Sequence, residues 1–196
     1  MSDPNQAEKI VGFKELAPVC EALAKGKTSL ILRKGGIAEG RDGFDFAHQN
    51  FWLFPTFFHQ DSKNLKEDFR IGLSNLPAPD DERKTVVIGG HVEIIKSVTL
   101  RDWQAVAALD SFHPWAEELV RERFEYKDAG LKVALVRVRN LPEPIEISYE
   151  KGLYGGCRSW VELPDSLSSA GMNTESVLSD KEHEQRVGEI GALLAE

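Results

Sequence analysis

VVIGGHVEIIKSV, Val86 to Val98, decides how this chain folds. On either side of Gly89 and Gly90 lie runs rich in Val and Ile, residues that suit a pleated, half-buried surface. The stretch therefore reads as strand, glycine bend, strand. A glycine pair inside an otherwise continuous strand marks a bulge or a corner, the device by which a sheet curls into a barrel.

Working outward, LKVALVRVRNL (131–141) is the clearest strand in the sequence, and RSWVEL (158–163) reads as another. FAHQNFWLFPTFFHQ (46–60) holds six aromatic rings and two histidines. Phe51, Trp52, Leu53 and Phe54 leave neither strand face suited to water, so this strand is expected to be central in its sheet. Pro55 is expected to end its regular pairing. TSLILR (28–33) reads as a strand that ends in a glycine turn. Leu16, Val19, Cys20 and Leu23 recur at helical spacing, predicting a helix within residues 14–25 that Gly26 stops. Thr99 and Asp102 predict a capping box for a helix running to about Leu109, and Pro114 opens a helix that ends near Phe124. Strands and helices mix without βαβ alternation. The expected fold class is α+β, with a curved, largely antiparallel or mixed barrel-like sheet and flanking helices.

The length of 196 residues fits a single domain with appendages. The division expected is a flexible N-terminus over 1–12, one α+β domain over 13–164, and a Ser-rich linker with an amphipathic C-terminal helix over 165–196. Ser179 and Glu182 form a capping box for that helix, whose stripe is Val187, Ile190 and Leu194. Charge is uneven. The net charge is −8, and from Asp165 onward seven acids stand against Lys181 and Arg186. The tail thus carries −5 and the other 164 residues −3, so no long basic face for unspecific nucleic-acid binding is evident. No apolar run approaches the roughly 20 residues that span a bilayer. The polar start, MSDPNQAEKI, lacks the pattern of a secretory signal, which makes cytoplasmic the expected location. Cys20 and Cys157 form no C-x-x-C pair and read as reduced thiols used in packing.

LAPVCEALAKGKTSLILRKGGIAEG, FWLFPTFFHQ, WAEELVRERFEY with LKVALVRVRNLPEP, and GGCRSWVEL together resemble a bacterial family, domain of unknown function 1802, over about Phe13 to Leu163. The tail after Pro164 falls outside that resemblance. It implies a link to nucleic-acid metabolism or restriction-type defence and carries over no catalytic residue. The order helix, GKT, strand ending at Arg33 is also similar to PUA-like barrels, including ASCH-type domains. That likeness implies a cleft beside a small barrel for nucleic acid or modified bases.

Several residues could carry chemistry. In Arg33-Lys34-Gly35-Gly36 the glycines let the backbone approach an anion and the basic pair adds charge; the plainer reading is a solvated turn. Arg137 and Arg139 share a strand face with Val133 and Leu135 and would mark a cleft rim; the plainer reading is pairing with surface acids. His48 and His59 flank the aromatic strand at a spacing that fits no zinc motif. His59, beyond Pro55, is the better pocket candidate. Cys157 and Arg158 sit in GGCRSW, where the arginine would activate the thiol or the pair would simply make a tight turn. Glu93 and Lys96 suggest a nuclease, but three residues apart they face opposite sides unless a bulge intervenes. The expectation is a nucleotide- or nucleic-acid-binding module using Arg33, Lys34, His59, Arg137, Arg139 and Arg158, with no metal and no cofactor. Two alternatives stand beside it: a metal-dependent phosphodiesterase, and a subunit that binds a partner protein or a second copy through its C-terminal helix.

Overall fold

A computed structural model of the chain describes residues 9–34, 44–57, 62–70, 83–168 and 170–194. The elements run β1 (Val11–Leu16), α1 (Ala17–Ala24), β2 (Leu30–Arg33), β3 (Asn50–Thr56), β4 (Thr85–Leu100), α2 (Trp103–Ala107), α3 (Glu117–Glu125), β5 (Leu131–Ser148), α4 (Lys151–Tyr154), β6 (Trp160–Glu162), β7 (Glu175–Ser176) and α5 (Asp180–Leu193). Among the described residues they build one seven-stranded sheet in the order β2-β5-β4-β3-β1-β6, with β7 added to β5. Only β1 and β3 are parallel; the other ladders are antiparallel. The fold is mixed α+β, as the sequence pattern predicts.

The sheet curls on itself. β2 and β1 are separated by three strands in the sheet order, yet the Arg33 guanidinium of β2 donates to the Lys14 carbonyl of β1 and stacks 4.5 Å from the Phe13 ring centre. Side chains bridge the two strands at this seam. The corner lies at the glycine pair. The β4–β5 ladder shifts register between Ile88 and Gly90: Ile88 faces Ile145, while Gly90 faces Asn140. Four residues, Leu141 to Pro144, thus bow out opposite Gly89. A Cβ on Gly90 would sit 2.9 Å from Leu53 Cδ1, so any larger residue there would have to displace the buried Leu53 side chain.

β3 is central, between β4 and β1, and Phe51 to Phe54 are all buried. Phe13 and Phe51, 5.2 Å apart, sit in the larger of two apolar clusters; Trp52 and Phe54 belong to the second. Among the described residues no helix is long and apolar enough to cross a membrane.

Several local expectations change. Residues 11–16 are strand β1 rather than loose end or helix, and α1 starts at Ala17 with proline in its first turn. Pro55 stays within β3. The β4 ladder has ended at Trp52, so Pro55 has only β1 beside it and needs no second N–H bond. Thr99 remains in β4, and Asp102 is the cap of α2, accepting from the Ala105 N–H at 3.0 Å. α3 begins at Glu117, three residues past Pro114. The Ser-rich segment is not loose throughout: Leu167 is buried and β7 pairs with β5.

Candidate ligand cleft

The seam between β1 and β2 opens into a cleft of about 240 Å³ lined by Lys14, Glu15, Leu16, Arg33, Thr56, Asn64 and Arg123. Five segments meet there. β1 carries Glu15, the end of β2 carries Arg33, and the end of β3 carries Thr56. The 3-10 turn Ser62–Asn64 supplies Asn64, and α3 supplies Arg123. Strand parity explains why charge faces inward here. Phe13 and Glu15 lie two residues apart on one face of β1, Phe13 in the core and Glu15 at its mouth.

Glu15 is 2% exposed. Its Oε1 accepts from the Leu16 N–H at 2.7 Å. Its Oε2 lies 3.5 Å from Arg33 Nη2 and makes no hydrogen bond. Arg33 Nε is likewise buried without a partner. The Arg123 guanidinium stacks 4.3 Å from the Trp115 ring. Burial pulls the Arg123 pKa down, Glu15 opposes that shift, and Arg33 adds to it, which places all three charges in one field. Two guanidinium planes therefore stand on aromatic rings around a single carboxylate, which gives these three groups one net positive charge; the Lys14 ammonium is turned to the Tyr154 and Gly156 carbonyls. Below them Cys20 is buried, with Sγ 3.6 Å from the Glu15 carbonyl. Burial and then Glu15 push its thiol pKa well up, so it is an inert core group.

The five of the six sequence-selected residues that lie among the described ones do not converge. Arg33 pairs in register with Lys132 and so points to that residue's face of the sheet. Arg137 and Arg139, five and seven residues further along β5, point to the opposite face. There they line a second cavity of about 140 Å³. Lys34 donates to the carbonyls of Phe124, Asp128 and Gly130; it ties down the end of α3. Arg158 is exposed in the turn before β6 and lines neither cavity. His59 and the glycines 35 and 36 lie outside the described residues, while His48 is exposed beside Trp160, 4.9 Å between ring centres. Cys157 is exposed in the same turn as Arg158. Glu93 and Lys96 do share a face, because a bulge at Ile95 shifts the ladder by one: Glu93 faces Arg137 and Lys96 faces Leu135. However, the Lys96 ammonium donates to the Leu194 carbonyl at 2.8 Å.

The sequence reading does not single out Glu15, Thr56, Asn64 or Arg123. Glu15 sits in a stretch that scans as helix, and Arg123 has a sufficient role as a basic residue in the last turn of α3. The adjacent charges Lys14 and Glu15 inside VGFKEL, otherwise a half-apolar strand, are the signal that was available for Glu15.

A family model described as Domain of unknown function (DUF1802) matches residues 12–189, further into the tail than Leu163. No curated protein matches the chain. Among solved structures, the chain is similar to the ASCH protein of Zymomonas mobilis, at 13% identity and a TM-score of 0.47, covering 86% of this chain and 98% of that one. A point mutant of the same protein matches at 13% identity and a TM-score of 0.48, over 85% and 97% of the two chains. Both resemblances read from the sequence reappear here.

Proposed function

The chain belongs to the DUF1802 family, and from that premise we propose that it is a nucleotide- or nucleic-acid-binding module acting through the cleft at the β1–β2 seam. One observation carries the reading: Arg33 and Arg123, each stacked on an aromatic ring, converge with buried Glu15 in a single concavity. Guanidinium groups donate in a planar fork that matches phosphate, and their faces stack on bases. With Lys14 turned to the Tyr154 and Gly156 carbonyls, the carboxylate leaves the two arginines one net positive charge, which favours a ligand bringing N–H groups as well as an anion. A nearly neutral body suits recognition in one cleft better than charge-driven coating of a duplex. The expected cytoplasmic setting and the association with restriction-type defence fit a module that holds nucleic acid for a partner's chemistry. The phosphodiesterase reading gains the shared face of Glu93 and Lys96, but it meets a lysine already bound to α5.

Calorimetric titration with the four nucleoside monophosphates and with short single-stranded RNA and DNA tests the proposal. Arg33→Gln and Arg123→Gln are each expected to weaken binding at least about tenfold, since a hydrogen bond to a charged group contributes about 1.5–3 kcal/mol. Absence of binding by every nucleotide and oligonucleotide would sink it.

A further inference from the structure

The second cavity, on the opposite face of the sheet, is a separate matter. Two cross-strand rows run beneath it, and all of their members except Trp52 line it. Asn50, Glu93 and Arg137 are paired in one, and Trp52, His91 and Arg139 in the next. Gly171 and Thr174, from the segment before β7, lie over them.

Its charges divide cleanly. Arg137 gives its Nη2 to Asp180 and to the Ser176 hydroxyl, while its Nε is buried without a partner. Glu93 and Arg139 make no hydrogen bond or ion pair among the described residues, and each is exposed to the cavity's solvent. His91 packs edge-on against Trp52, 4.9 Å between ring centres. Burial first, and Arg139 second, lower its pKa against an opposing pull from Glu93, which favours the neutral ring. What remains is one carboxylate and one guanidinium, diagonal neighbours on the ladder, whose Cα atoms lie roughly 7–8 Å apart. A simple anion would leave Glu93 unmatched, and a simple cation would leave Arg139 unmatched. A ligand with an ammonium next to a carboxylate satisfies both. Size agrees. At about 30 Å³ per water, 140 Å³ admits about five water-sized groups, the scale of a small amino acid.

We propose that this cavity binds a small α-amino acid, its carboxylate held by Arg139 and its ammonium by Glu93. Asn50 lies beside Glu93 in its row and offers an amide donor and acceptor to the same end of the ligand. The arginine fork takes the carboxylate in two parallel bonds.

The test is a nuclear magnetic resonance titration of the full chain with L-alanine, and in parallel with acetate, alaninamide and N-acetylalanine. The proposal expects L-alanine to move the amide signals of Asn50, His91, Gly171 and Thr174. Each analogue, lacking one charge, should bind at least about tenfold more weakly. Glu93→Gln and Arg139→Gln should each lose alanine binding about as strongly, with melting temperatures close to wild type because both side chains are exposed. Acetate binding as tightly as alanine would overturn the proposal in favour of an anion site. An absence of signal changes at millimolar alanine would overturn it outright. Neither result bears on the nucleotide cleft, which shares no residue with this cavity.

Discussion

Gly90 shows how much a single residue can settle. A methyl group there meets Leu53 Cδ1 at 2.9 Å, whereas one on Gly89 meets Pro144 at 3.3 Å. Overpacking of this kind costs about 1–3 kcal/mol. Gly90→Ala is therefore expected to lower the urea midpoint clearly, and Gly89→Ala to lower it less; equal midpoints for both variants would refute the corner as drawn. Burial decides a second case. His113 is 2% exposed and its Nδ1 has no partner. Burial, with the Lys66 ammonium adding to it, lowers its pKa to about 4. The unfolded chain takes up this proton near the ordinary value while the folded chain does not. Stability is thus complete above about pH 6.5 and falls as pH drops toward 4, by about 3 kcal/mol in all. Urea titrations at pH 7 and at about 4.5 should show the drop, and His113→Gln should show a smaller one. An imidazole that titrates at its ordinary pH would contradict this. Residue chemistry was legible in the sequence where a residue acts locally, as with Gly89 and Gly90. It was hidden where partners come from distant segments, as with Glu15 and Arg123.

Elements were legible in proportion to their periodicity. The all-apolar run of β3 and the β-branched runs of β4 and β5 announce buried strands, and the Ser179 box announces α5, with both reciprocal bonds present. β1 is masked because Leu16 extends the helical stripe backward, while its strand character comes from ladders to β3 and β6 that no local pattern reveals. The start of α2 turns on competition between two caps. Thr99 has a strand partner in Lys132, so the helix begins only where Asp102 can receive the Ala105 N–H. Losing an N-cap costs about 1 kcal/mol, while an exposed substitution elsewhere usually stays within about 0.5 kcal/mol. Asp102→Ala should therefore destabilise the chain by about 1 kcal/mol and Thr99→Ala by less than half of that. The reverse order in a denaturant series would restore Thr99 as the cap.

At the scale of the whole molecule, the tail is part of the body. Ile190 and Leu194 of the α5 region are almost fully buried within the main core, and Val177 and Leu178 pack on Gly26. Polar contacts fix the same docking: Arg137 to Asp180, Arg186 to the Gly26 carbonyl at 2.9 Å, and Lys96 to the Leu194 carbonyl. The apolar stripe that could have offered a partner surface is thus used by the chain itself. α5 has two glycines, which weaken it alone by about 1 kcal/mol each relative to alanine, and at 14 residues it is marginal without a surface to lie on. Its helicity is therefore expected to come from docking and to disappear with it. Ile190→Ala removes a core side chain at a cost of about 2–5 kcal/mol, a large fraction of the 5–15 kcal/mol that holds an ordinary domain together. The expected outcome is a much lower melting temperature, faster amide exchange along residues 180–193, and an unchanged mass in solution by light scattering. A halved mass with melting unchanged would instead mean that α5 joins two copies, and would move the protein-interaction reading ahead of the nucleotide cleft.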